Sequence, residues 1–183
     1  MSFEVVSWYT PDYELCNERL IRSLEEHGHR AYTCWPVIPV GKWGSNVRYF
    51  KPWCLAKALQ ECEGDFLYLD SDAVVNSRMT LFDDWTGEDI GVHYRGGREL
   101  LGGTVYVKPS ARVHLLLSEI SSFMESSGLV WQQAAQLTLQ RHPEISVKRL
   151  PPEYCCIFDS MRTQHPGIVP VIEHMQYSRQ VRH

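Results

Sequence analysis

One stretch constrains this chain more than any other: Phe66-Leu67-Tyr68-Leu69-Asp70-Ser71-Asp72-Ala73-Val74-Val75, an apolar run interrupted by two acids. Bounded by turn signals, such a run predicts a central buried strand. Two residues apart on an extended backbone, the side chains of Asp70 and Asp72 point to the same face. In open α/β sheets ligands bind at the carboxyl ends of strands, where this pair lies. Two carboxylates on one face make a hard-oxygen site for Mg²⁺ or Mn²⁺, with water and phosphate oxygens filling the other positions. An isolated D-x-D recurs often by chance as a helix cap plus a solvated acid. Its place directly behind Phe-Leu-Tyr-Leu supplies the structural context that a metal motif requires.

The rest of the chain alternates strand and helix patterns, which predicts an α/β, Rossmann-like domain with a mostly parallel central sheet flanked by helices. Phe3 to Tyr9 reads as the first strand. Thr10-Pro11-Asp12 reads as a helix start, with Leu15, Leu20, Ile21 and Leu24 on the apolar face and Gly28 at the end. A second strand lies within His29 to Ile38, and Asn46 to Cys62 is a helix whose regular part begins near Phe50. Its apolar face is Phe50, Trp53, Leu55, Ala58 and Leu59. Further strands are expected at Asp89–Tyr94, Thr104–Val107, Ile145–Leu150 and Val169–Met175, and helices at Pro109–Met124 and Val130–Leu139. Pro151 to Gly167 reads as loop. We expect one domain over 1–183, with 1–108 as the nucleotide-binding part and 109–183 as the acceptor side.

Composition adds exclusions. With 183 residues, 44% apolar and 22% charged, the chain suits one soluble globular domain. A net charge of −4 gives no sign of nucleic-acid binding. No apolar run is long enough to span a bilayer, and the first residues lack a signal-peptide pattern, so a cytoplasmic location is expected. The six cysteines include no C-x-x-C pair and read as reduced, mostly buried thiols.

Several segments, in order, resemble one family. Asp65-Phe-Leu-Tyr-Leu-Asp-Ser-Asp-Ala-Val-Val75 looks like the D-x-D strand of GT-A-fold glycosyltransferases, in particular the glycogenin-like and lipopolysaccharide galactosyltransferase-like group and small phage or bacterial relatives. Trp8–Tyr13 resembles the first strand and turn that hold the nucleotide, and Tyr49–Trp53 the segment whose Lys approaches the donor phosphates. Leu101–Val107 resembles the strand lining the sugar pocket, Leu150–Tyr154 a late turn, and Ile172–Arg179 the segment whose His completes the metal site. The resemblance implies Asp70, Asp72 and His174 as ligands to Mn²⁺ or Mg²⁺, and a UDP-sugar or other nucleoside-diphosphate sugar as donor. It places Thr10, Tyr13, Lys51, Ser71, Gly102, Gly103 and Arg179 against that donor, with Gln133 and Asp72 in catalytic positions.

Each residue also has a plainer reading. Thr10 suits an N-cap, Lys51 a solvated cation, the glycines a turn or bulge between strands, and Gln132-Gln133 an exposed helix face. His174 suits an ordinary strand-end histidine. Arg179, Arg182 and His183 read as a lid over the diphosphate, as a contact for an anionic acceptor, or as a frayed end. Two departures from the family stand out. Trp131-Gln132-Gln133 replaces the usual Asp-Gln, and the His-x-x-Gly-x-x-Lys ending is absent. The implied function is a metal-dependent transfer of a hexose to a hydroxyl, with retention. The alternatives are a transferase acting on a modified DNA base and a non-catalytic nucleotide-sugar-binding module; a nucleotidyltransferase ranks lower, because Trp8–Tyr13 holds neither Gly nor Lys. The acceptor class, glycan, protein or modified nucleic acid, is open, and the loops 41–48, 95–101 and 151–167 are expected to set it.

Overall fold

The computed structural model describes residues 3–38 and 49–177. The loop 41–48 and the residues Arg179, Arg182 and His183 lie outside them. Six strands form the main sheet: β1 (Glu4–Tyr9), β2 (Tyr32–Pro36), β3 (Phe66–Leu69), β5 (Ile90–Arg95), β6 (Glu99–Val107) and β7 (Val147–Arg149), in the order β2-β1-β3-β6-β5-β7. Only β6 runs against the other five. The expected mostly parallel α/β sheet is therefore present. A small second sheet joins β4 (Ala73–Val75), β9 (Ile172–His174) and β8 (Cys156–Ile157).

The two faces of the main sheet follow from side-chain alternation along each strand. Val6, Phe66, Tyr68, Val105 and Val107 face one core, under helices α2 (Phe50–Glu61), α3 (Ala111–Ser127) and α4 (Trp131–Arg141). Val5, Leu67, Leu69 and Tyr106 face the other, against helix α1 (Glu14–Glu26) and the small sheet. Every residue of Phe66–Leu69 is fully buried, and each such large apolar side chain contributes about 1.5–3 kcal/mol.

Several elements depart from the sequence expectation. The run Phe66–Val75 is not one strand: a turn at Asp70–Asp72, closed by the Ala73 amide bonding to the Asp70 carbonyl, sends its second half into the other sheet. Helix α1 buries Cys16, Leu20 and Leu24, which fall one helical turn apart, and leaves Leu15 exposed because a spacing of five misses that stripe. Trp53 is likewise on the rim of α2, where its ring meets Trp35 edge-on. Strand β6 begins at Glu99 rather than Thr104, so Gly102 and Gly103 sit inside a strand and not in a turn, at the bulge where the β5–β6 register shifts between Val92 and His93. The loop-rich stretch after Pro151 contains β8 and a short helix, α5 (Ser160–Gln164). All six cysteines are free, as expected.

Candidate active site

The D-x-D turn and the last strand are brought together by strand register. β4 and β9 pair antiparallel with Ala73 opposite His174, so the imidazole arrives beside Asp72. The Met175 amide bonding to the Asp72 carbonyl closes the same junction. One atom each from Asp70, Asp72 and His174 lies within 4.8 Å of the others. Ligand atoms around an octahedral ion with bonds of ~2.1 Å stand about 3–4.2 Å apart, so small side-chain adjustments suffice to hold one. The sequence-based reason for the pairing needs correcting: a turn, not an extended backbone, aims the two carboxylates.

His174 is almost wholly buried, and its Nε2 is 2.9 Å from the Thr104 hydroxyl. Its Nδ1 stands 3.7 Å from Asp72 Oδ1 and has no hydrogen-bond partner. A buried ring nitrogen without a partner is costly, and here it faces the Asp72 carboxylate. With a proton on Nε2 for Thr104, Nδ1 would be the nitrogen left for a ligand role. Burial pushes the imidazole pKa down, but Asp72 and Cys155 outweigh it and hold the ring at about 10. Burial also pushes Asp72 up, yet His174, the Tyr177 amide at 3.0 Å and Lys51 bring its carboxyl below the ordinary value. A cation held by this ring would require it neutral, so its binding would release the imidazole proton.

Gly103 makes this approach feasible. A Cβ there would sit 2.7 Å from the His174 ring. At Gly102 a Cβ would lie 3.0 Å from Trp131 and 3.3 Å from the Lys51 ammonium. Both glycines therefore make room for side chains of the site itself.

Lys51, second residue of α2, is not a solvated lysine. Its ammonium bonds Asp70 Oδ1 and the Gly102 carbonyl, each at 2.8 Å, and lies 4.9 Å from the Tyr68 ring centre. Thr10 follows β1 and is buried at the N-cap position of the short helical turn Pro11–Tyr13; its carbonyl accepts from the Tyr13 amide at 2.8 Å, but its hydroxyl caps nothing and has no hydrogen-bond partner. Tyr13 meets the ring of Tyr177 at 5.2 Å, one residue removed from the metal cluster through the Tyr177–Asp72 bond. Ser71 is buried in the turn. Gln133 is exposed on α4, and Trp131 packs on Gly102 instead. Arg179 lies outside the described residues.

Three contributors escaped the sequence reading. Tyr68 donates its hydroxyl to Asp70 at 2.7 Å, Thr104 orients His174, and Tyr177 binds Asp72 through its backbone. Tyr68 was accessible, because it lies two residues before Asp70. Thr104 and Tyr177 become visible only with the strand pairing. Among the described residues no helix is long and apolar enough to cross a membrane.

No protein-family profile and no curated protein sequence matches this chain. Solved structures do. A glycosyltransferase involved in glycosylation of the major capsid of PBCV-1 superposes with a TM-score of 0.73 at 16% identity, over 96% of this chain and 93% of that one. The glycosyltransferase GlyE of Streptococcus pneumoniae TIGR4 gives 0.66 at 17% identity, over 95% of this chain but only 54% of GlyE, so this chain spans about half its length. The galactosyltransferase LgtC, solved with donor and acceptor sugar analogues, gives 0.63 at 14% identity, over 94% of this chain and 86% of that one. This chain has the GT-A fold of nucleotide-sugar glycosyltransferases.

Proposed function

We propose that the protein is a metal-dependent glycosyltransferase that moves a hexose from a nucleoside-diphosphate sugar, a UDP-sugar foremost, to a hydroxyl acceptor. The observation that carries this reading is the convergence of Asp70, Asp72 and the partnerless Nδ1 of His174 at the carboxyl end of β3. Two carboxylates and one neutral imidazole suit Mn²⁺ better than Mg²⁺. Held there, the cation supplies Lewis-acid stabilisation of the diphosphate leaving group.

The chain's own residues do the rest. Lys51 pairs with Asp70 at 2.8 Å. It lies at the start of α2, where charge and helix dipole both favour an anion, and its ammonium would hold the donor phosphates there. Thr10, with its unused hydroxyl, and Tyr13 hold the nucleoside. Ser71, Gly102 and Gly103 let the backbone come close to the donor sugar, Arg179 closes over the diphosphate, and Gln133 attends the transferred sugar. Both carboxylates of the cluster are committed to the cation, and neither serves as a general base, which supports retention. Residues 1–108 form the donor part of a single domain, and 109–183 supply the acceptor side and His174. We place the protein in the cytoplasm.

The test is incubation of purified protein with nucleotide sugars and Mn²⁺, reading thermal shift, donor hydrolysis and, by NMR, the anomer first released. The reading predicts Mn²⁺-dependent nucleotide binding that Asp72→Ala abolishes. Equal behaviour of the two proteins would overturn it, and binding without turnover of any donor would leave a non-catalytic module.

A further inference from the structure

A second concave site lies at the other edge of the sheet. It is a pocket of about 570 Å³ between the β5–β6 hairpin, α4 and β7, a size suited to a small molecule. Tyr94, Arg98, Gln136, Gln140 and Arg149 supply its polar lining, over an apolar floor of Leu139 and Val147. No carboxylate lines it. Among the described residues neither Arg98 nor Arg149 has a carboxylate partner; Arg149 lies over the Tyr94 ring, 5.0 Å from its centre. The neighbouring cations are differently placed: Arg95 is paired with Glu99 and Lys148 with Glu88. The Gln136 side-chain oxygen accepts from the Leu100 amide at 3.0 Å, which leaves its NH₂ group as what it can offer a ligand.

Position links this pocket to the candidate active site. Gln136 bonds Leu100 while Trp131, on the same helix, packs on Gly102, so α4 and β6 lead directly from one site to the other. Arg149 pairs with Val92, three strands across the sheet from β3. At ~4.8 Å per strand spacing that is on the order of 14 Å from the metal cluster, within reach of an extended oligosaccharide.

We infer that this pocket binds an anionic sugar unit, phosphorylated or carboxylated, of the acceptor. Two free guanidiniums recognise the anion by forked hydrogen bonds, and the glutamine amides recognise hydroxyls. A local open pocket with two arginines, rather than a basic stripe, favours a sugar over a nucleic-acid strand, as does the net charge of −4. The assignment to the acceptor rests on the proposed transferase reading; the binding itself does not.

The test uses the intact chain and ¹⁵N amide shifts of Gly97 and Gln140, with glucose 6-phosphate, glucuronate, glucose, inorganic phosphate and a short single-stranded oligonucleotide as probes. Either anionic sugar is expected to bind about tenfold or more tighter than glucose or phosphate, and the double variant Arg98→Gln/Arg149→Gln to lose that margin. Mn²⁺-dependent UDP binding is expected to stay unchanged in the double variant, because neither arginine touches the metal cluster. Glucose or phosphate binding as tightly as the anionic sugars, the oligonucleotide binding more tightly, or a double variant that binds like wild type would each overturn the inference. Failure of UDP binding in wild type would instead count against the transferase reading and leave the pocket result standing.

Discussion

Two buried aspartates, at opposite ends of the sheet, have opposite surroundings. Asp89 precedes β5 and accepts four hydrogen bonds: Arg112 through Nε at 3.0 Å and Nη2 at 2.7 Å, and Ser146 through its amide at 2.9 Å and hydroxyl at 2.7 Å. Asp72 follows β3 and accepts one amide, from Tyr177, while the imidazole nitrogen facing it has no hydrogen bond. A carboxylate buried for structure has its oxygens filled by the chain. One buried for function keeps capacity for something the chain does not supply. The sharpest way to break this contrast is to remove the carboxylates at the functional end. Asp70→Ala and Asp72→Ala are each expected to lower Mn²⁺-dependent donor turnover a hundredfold or more, about 3 kcal/mol of transition-state stabilisation. Steady-state hydrolysis with a Mn²⁺ titration measures it, and turnover within a few-fold of wild type would erase the distinction.

The reciprocal experiment is Asp89→Asn. An amide cannot accept four hydrogen bonds, and the Arg112 charge loses its counter-ion, so unfolding stability is expected to fall by about 2–3 kcal/mol. Mn²⁺ affinity should not change. The acid limb of the stability curve carries the same information. Burial pushes the Asp89 carboxyl up, but the Ser146 and Arg112 bonds outweigh it and set it below its ordinary value. A group depressed in the folded state contributes stability that is present above the unfolded value, about 3.9, and is lost as pH falls through the folded one. Urea unfolding between pH 5 and pH 2 should show a shallower loss in Asp89→Asn than in wild type.

This contrast also marks what could be read from the chain. Most of the sheet was legible because apolar period and turn residues suffice for β1, β3 and the helices. Asp70 and Asp72 were legible as a pair for the same reason. The turn between them was not, since an apolar run reads identically whether its second half continues the first strand or joins another sheet. The geometry at His174 depends on the pairing of β4 with β9, a contact between residues about a hundred positions apart that no local pattern encodes. Leu15 went astray more simply: a helical period gives the face, and packing decides its centre. The pocket beside Arg149 was legible only as a loop expected to matter, because its members come from three separate elements.

Gly103 sharpens the functional side at a residue that is not itself a ligand. Gly103→Ala puts a methyl 2.7 Å from the His174 ring, so the imidazole must shift. Displacing a ligand's support typically lowers metal affinity 10- to 100-fold, and a loss of about that size is expected here by calorimetric titration. The same titration should show protons released on Mn²⁺ binding at neutral pH, because the His174 proton, held at about 10 by Asp72 and Cys155 against the effect of burial, has to leave. Runs in buffers of different ionisation enthalpy count those protons. A release of none would mean that Nδ1 is not the ligand.

The smallest effect belongs to a histidine whose carboxylates are both in solvent. His142 bonds Glu144 through Nδ1 and Glu119 through Nε2, each at 2.7 Å, and these partners raise its pKa. A group raised in the folded state stabilises fully below its unfolded value, about 6.5, and loses that contribution as pH rises through the folded one. Exposed pairs are well screened, so His142→Gln should lower Tm by only a degree or two at pH 6, with the difference vanishing by pH 9. Mn²⁺ binding should be untouched. A larger effect at His142 than at Asp89 would mean that neither burial nor hydrogen-bond count decides which charged groups the fold depends on.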